Sequence, residues 1–391
     1  MHNVKNKQEI DLRQYQPAAD NHPYVEDLSK VNPEDAAAFL QVGIETRLDG
    51  RSGTFIQKDN SVIHCNTTAS GVEIMGINQA QEKYDGLKDY IWKSISPDND
   101  QYTARTYEKP NQGYFIRSLP GAKIVHPVQS CLHISRENTS QHVHNIVIAE
   151  ENSEIHIITG CSTSEALTSG LHVGVSEFYV KKGATLKFTM IHDWGDKINV
   201  RPRTVTHVEE GGVLISNYIS LKPVGSLQMN PVTYLDGRGA IARFNSVLVA
   251  DASSYMDVGS TVILNGAESR AEIISRAITT GGSIIARGKL VGNVPGVKAH
   301  LECKGLILNE GLLHAIPELE ASIPGVEMSH EAAVGKIDQR EIEYLMARGL
   351  DEDEAVSTIV RGFLNVDIEG LPAGLVEKLD QAIADTQDDM M

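Results

Sequence analysis

Residues 239–290 read GAIARFNSVLVADASSYMDVGSTVILNGAESRAEIISRAITTGGSIIARGKL. Short runs rich in Val, Ile and Ala alternate with polar residues, and each run stops at a tight-turn signal such as NGAE at 265–268 or TTGG at 279–282. Strand therefore follows strand with no helix between. The same pattern extends outward through SEFYVKKGATLKFTMIHDW at 176–194, RTVTHVEEGGVLISNYIS at 203–220 and HLECKGLILNEGLLH at 300–314. An antiparallel sandwich produces such a pattern, and so does a β-helix, whose coils stack like repeats and need many similar turns. Gly183 and Gly211, like Gly282 and Gly311, read as two coils apart, and Gly266 and Gly282 as one; the irregular spacing elsewhere leaves the sandwich open. Aromatic residues make up only 5% of the chain, so the expected core is stacked aliphatic strands.

Outside this β-rich core, assigned to 113–327, the pattern changes on both sides. Residues 1–112 read as a small α/β region. VNPEDAAAFL at 31–40 has Asn32 as a helix N-cap, Pro33 at the first helical position and acids in the first turn, and GLKDYIWKSI at 86–95 reads as a second short helix. Residues 328–391 read as helical. Asp338 with Glu341 and Asp351 with Glu354 resemble capping boxes, followed by Ile342, Leu345 and Met346, then Val356, Ile359, Val360 and Phe363, at helical spacing. Gly349 suits a left-handed stop between them, and a third helix is expected from Pro372.

The chain has 391 residues and a formal net charge of −17, which repels phosphate backbones and anionic membrane surfaces. Nucleic acid is not an expected partner. No apolar run is long enough to cross a bilayer and the first residues lack a signal-peptide pattern, so the expected place is the cytoplasm. Cys65, Cys131, Cys161 and Cys303 lie far apart without a C-x-x-C pair, which indicates neither a disulfide framework nor a zinc finger. GGSIIARGKL at 281–290 fails as a phosphate loop, because Leu290 stands where a magnesium-holding Ser or Thr belongs.

Three places carry candidate chemistry. His142 and His144 alternate on one strand and read as solvated or hydrogen-bonded side chains rather than ligands. Cys303 sits in HLECKG, where Glu302 and Lys304 share the opposite side of the strand; a small buried hydrophobe is the plain alternative to a ligand. His330 and Glu331 stand side by side on no helix face. They are expected in a loop, where they could merely cap the neighbouring helices.

Read together, GYFIRSLPGAKIVHPVQSCLHI at 113–134, NIVIAEENSEIHIITGC at 145–161, SRAITTGGSIIARGKL at 275–290 and SHEAAVGKIDQREIEYLMARGLDEDEAVSTIVRGFL at 329–364 resemble the SufB/SufD family of iron–sulfur cluster assembly proteins. That resemblance implies a right-handed parallel β-helix core flanked by the N-terminal α/β region and the C-terminal helical region. It implies a dimer through the β-helices, here a homodimer because SufB-like and SufD-like features coexist in one chain. It also implies a SufC-like ABC-type ATPase bound through the C-terminal helices, for which Ile359 and Phe363 are the candidate contacts. Cys303, His330 and Glu331 match the positions implicated in holding a nascent iron–sulfur cluster, and a loop could aim the pair at Cys303. Thiolate, imidazole and carboxylate suit such a cargo.

The expected function is thus a non-enzymatic scaffold building a transient cluster, with ATP hydrolysed in the partner. THVEEGGV at 206–213 lacks the cysteine that accepts sulfur in bacterial SufB, so no sulfur donor is implied; Cys161 is the nearest core alternative. Two contrasting readings are a structural SufD-like subunit without a cluster and a β-helix polysaccharide-active enzyme using acids such as Asp236 and Asp251.

Overall fold

A computed structural model describes residues 9–19, 21–47, 50–108, 112–164 and 167–364. The alternating runs pair in parallel with the run one coil further along the chain. In one sheet the ladder runs Thr185↔Val213↔Ile241↔Arg270↔Lys298↔Glu327, so the chain regains its place after 28 or 29 residues. Among the described residues the strands form a 13-stranded and a 10-stranded sheet, stacked as the walls of a β-helix. A parallel ladder of this kind excludes the antiparallel sandwich.

The turns stack as well. Residues with positive φ recur at Gly121, Asn152, Gly183, Gly211, Gly239, Glu268, Gly296 and Gly325. Each is one coil after the last, so Gly183 and Gly211, and likewise Gly282 and Gly311, are one coil apart rather than two. The amide N–H of Gly183 donates to the Glu210 carbonyl, that of Gly211 to Arg238 and that of Gly239 to Ala267, which ties each turn to the one above it. Left-handed backbone favours glycine, and Asn152 and Glu268 occupy two rungs of the same column.

Inward-facing side chains pack between the sheets in columns, as in-register parallel pairing requires. One column runs Val128–Ile157–Phe188–Ser216–Phe244–Ile273–Leu301, and all of it but Ser216 is buried. Strands from the first 112 residues join the same sheets: Gly53–Lys58 pairs with Val128–Ile134, and Val72–Gly76 with Tyr114–Ser118.

Helix α1 (Pro33–Gln41) begins as expected, with the Asn32 side chain accepting from the Asp35 N–H at 2.7 Å. Its Phe39, with Leu28, Val42 and Ile44, covers the outer face of the 10-stranded sheet. α2 (Ile77–Lys83) and α3 (Gln101–Glu108) follow. The expected helix at 86–95 is reduced to a 3-10 turn at Asp85–Asp89. The buried Glu177 carboxylate accepts from the backbone N–H groups of Trp92, Lys93, Ser94 and Ile95, and this bond set replaces the helical one.

At the other end stand α4 (Gln339–Met346) and α5 (Glu352–Leu364). Asp351 and Glu354 exchange hydrogen bonds between side chains and backbone N–H groups, a complete capping box, and Gly349 has φ +104°. Val360 and Leu364 of α5 pack on Val247, Val249 and Ile278, outside the same sheet that α1 covers nearer its start. The helix expected from Pro372 lies outside the described residues. No helix among the described residues is long and apolar enough to cross a membrane.

Candidate functional site

Cys303 lies in the strand Lys298–Ile307. Leu301 and Cys303 point into the core, 0% and 2% exposed, while Glu302 and Lys304 point outward. Cys303 belongs to the column Ser130–Thr159–Met190–Tyr218–Ser246–Ser275–Cys303–Ala332, in which Ser246 Oγ donates to Ser275 Oγ at 3.0 Å. Burial pushes its thiol up to about 11; Glu302 adds to this and Arg276 opposes it. The resting group is a neutral thiol, and a metal ion must displace its proton to gain the thiolate.

His330 and Glu331 are not in a loop. They belong to the strand Glu327–Gly335, which extends the ladder by one more coil. SHEAAVG is too polar and alanine-rich to read as a strand alone; pairing with Lys298–Ile307 makes it one. His330 is in register with Leu301 and therefore points inward, in the column beside Cys303. Glu331 is in register with Glu302 and points outward, 3.4 Å from Lys304 Nζ. Adjacent residues of a strand face opposite ways, so the structure brings Cys303 and His330 to one face and leaves Glu331 on the other.

Among the described residues no coil follows this strand, and His330 is exposed although it faces inward. Leu312–Ala321 of the other sheet ends in the same way, and both strands are hydrogen-bonded along one edge only among the described residues. Leu312, Leu319 and Val334 on these strands are 46%, 38% and 42% exposed, large values for apolar side chains on sheet edges. Gly305, two residues after Cys303, admits a neighbour: a Cβ there would lie 2.4 Å from Leu313 Cδ1 of the facing strand.

Among the described residues, no three His, Cys, Asp or Glu side chains are grouped to hold a metal ion. One chain thus offers the inward face a thiol and an imidazole and no complete ligand set. Cys161 is fully buried in register with His192, and burial pushes its thiol far up. His144 Nε2 pairs with Glu177 at 2.8 Å and His142 Nδ1 lies 3.3 Å from Thr106 Oγ1, in keeping with hydrogen-bonded side chains. Asp236 is bonded to His207 and Asn265 on the coils either side, and Asp251 to Ser253 and Ser254 in its own turn.

On the C-terminal helices, Phe363 is half-buried against the sheet with α5, and Ile359 is partly exposed. Sequence periodicity missed Tyr344 on α4, 58% exposed, and grouped Met346 with Ile342, of which Ile342 is buried and Met346 is 40% exposed. An aromatic residue falling outside the apolar stripe of a short helix was the available signal.

Known proteins share this chain's sequence. The family model described as SUF system FeS cluster assembly, SufBD core domain, matches residues 132–363. An "Iron-sulfur cluster assembly SufBD family protein" of Archaeoglobus fulgidus is 52% identical over 358 residues, covering 91% of this chain and 96% of that protein. One from Methanothermobacter thermautotrophicus strain Delta H is 50% identical over 376 residues, with 94% and 92% covered. The "Iron-sulfur cluster assembly protein SufB" of Bacillus subtilis is 28% identical over 367 residues, with 90% and 78% covered.

Proposed function

Because the chain belongs to the SufBD family of iron–sulfur cluster assembly proteins, we propose that it is a scaffold on which a labile cluster is built between two copies of itself. The observation that carries this reading is the inward-facing pair Cys303 and His330 at the end of a β-helix whose two last strands, among the described residues, have unpaired edges. A second copy joined end to end by a two-fold axis would continue both sheets and keep inner faces inner. Two thiols and two imidazoles would then face one shared space, a donor set suited to iron and sulfide as cargo. Glu331, on the outer face, is left as an oxygen donor only for iron approaching from that side.

The protein itself acts by binding rather than by catalysis in this reading. A SufC-like ATPase docks on α4 and α5, where Tyr344, Met346 and Ile359 offer apolar surface and Phe363 holds α5 in place. The four free cysteines fit the reducing cytoplasm.

Anaerobic reconstitution with ferrous iron and sulfide, read by absorption, tests the proposal. Wild type should gain sulfur-to-iron charge-transfer bands, and Cys303→Ser should lose most of them while remaining folded and dimeric, since a hydroxyl is a poor substitute for a soft thiolate. The near-complete burial of Cys303 favours one rival, a structural subunit without a cluster. An unchanged spectrum in Cys303→Ser would remove Cys303 as a ligand, and a wild type that gains no such bands would establish that rival.

A further inference from the structure

Among the described residues the last strand, Glu327–Gly335, is bonded along one edge and has little beneath it. Met328 packs on the core, but His330, Ala332 and Val334 point inward at an end that no coil of the described residues covers. Side-chain pairs on the outer face hold it to Lys298–Ile307. Lys298 Nζ pairs with Glu327 at 2.8 Å, and His300 Nδ1 lies 2.9 Å from Ser329 Oγ.

The next rung sets Glu302 directly against Glu331, two carboxylates that repel across the ladder. Lys304 reaches back to this rung: its Nζ donates to Glu302 Oε2 at 3.0 Å and lies 3.4 Å from Glu331 Oε1, while Arg276 pairs with the other oxygen of Glu302. The stakes are set by strand parity, because a slip of one residue would turn His330 outward and Glu331 inward.

We propose that Lys304 is a positioning residue: by bridging Glu302 and Glu331 it locks the register of the last strand and keeps His330 on the same face as Cys303. This rests on the reading of Cys303 and His330 as cargo ligands. It gives Glu331 a role on the outer face, as the far anchor of the lock, and separates the two neighbours His330 and Glu331 by function as well as by direction.

The test uses the full-length protein with Lys304→Met, Lys304→Arg and the double variant Lys304→Met/Glu331→Gln. Two measurements are made: amide hydrogen exchange over residues 327–335, and pulsed EPR of the reconstituted, dithionite-reduced cluster for nitrogen-14 coupling from imidazole. Lys304→Met should speed exchange about two- to fivefold, the scale of one like-charge cross-strand pair, and weaken the nitrogen coupling. Lys304→Arg should keep both at wild-type level. Removing the repulsion with Glu331→Gln should restore both in the double variant. Wild-type exchange in Lys304→Met, or no restoration in the double variant, would overturn the lock. A wild-type cluster with no nitrogen coupling, or one unaltered by His330→Ala, would overturn the ligand reading alone, and the exchange measurement would still decide the role of Lys304.

Discussion

Cys303 is the residue on which the proposed scaffold role turns, and its environment makes it reluctant. With its pKa pushed to about 11, the thiolate fraction at pH 8 is roughly 0.1%. Iodoacetamide labelling followed by mass spectrometry should find Cys303 nearly inert at pH 8 and about tenfold faster for each pH unit above it. Labelling at the rate of an unfolded thiol would show an open site. Glu302 beside it behaves oppositely: burial alone would raise its pKa, but the hydrogen bonds and charges of Lys304 and Arg276 outweigh burial and lower it. Gly305 and Gly288 set the local packing. A Cβ on Gly288 would stand 2.2 Å from Leu301 Cδ1, in the strand that carries Cys303. Gly288→Ala should therefore cost about 1–3 kcal/mol of stability by overpacking, measured as a lower denaturant midpoint.

The elements that frame the site differ in what holds them. α5 is seated by Val360, Leu364 and Phe363 on the outer face of a sheet and begins with a reciprocal capping box. Asp351→Ala should cost about 1 kcal/mol by leaving the Glu354 N–H unpaired. Phe363→Asp should lower the melting temperature as well as any binding, because it places a charge against the sheet. α4 presents Tyr344 and Met346 to solvent. Tyr344→Asp with Met346→Asp should abolish pull-down of a SufC-like ATPase and leave the melting temperature unchanged; retained binding would move the docking surface elsewhere.

At the scale of the whole molecule, the described residues leave the β-helix open at the end where the proposed cargo site lies. Among the described residues, Leu312–Ala321 and Glu327–Gly335 leave backbone groups and apolar side chains unpaired, so light scattering should report twice the chain mass at micromolar concentration, and Leu312→Lys with Leu319→Lys should report the monomer. The interior also sets a pH limit. Burial lowers His133 and His156 to about 4 and His172 to about 3, with Asp35 opposing the shift at His133. These rings are neutral when folded and take up protons near 6.5 when unfolded, so their contribution is present above 6.5 and is lost as pH falls towards 4. The melting temperature should fall through that window. His156→Gln should make the fall shallower, and an unchanged profile would place the acid sensitivity in other groups.

Alternation between apolar and polar residues, the turn signals around Gly183, Gly211 and Gly282, and the caps at Asn32 and Asp351 were legible because each depends on residues a few positions apart. They determined a mainly β core, helices at its flanks and, through long ordered motifs, the family. Coil length was not legible. The left-handed column passes through Asn152 and Glu268, and its spacing shifts from 31 residues, between Gly121, Asn152 and Gly183, to 28 or 29 thereafter. Nor was the fate of 86–95, where Glu177 from a distant strand claims the backbone N–H groups a helix would have used. The direction of His330 and Glu331 belongs with these. Their segment is a strand only because Lys298–Ile307 pairs with it, and that pairing, formed across a whole coil of intervening chain, decides which of the two residues shares a face with Cys303.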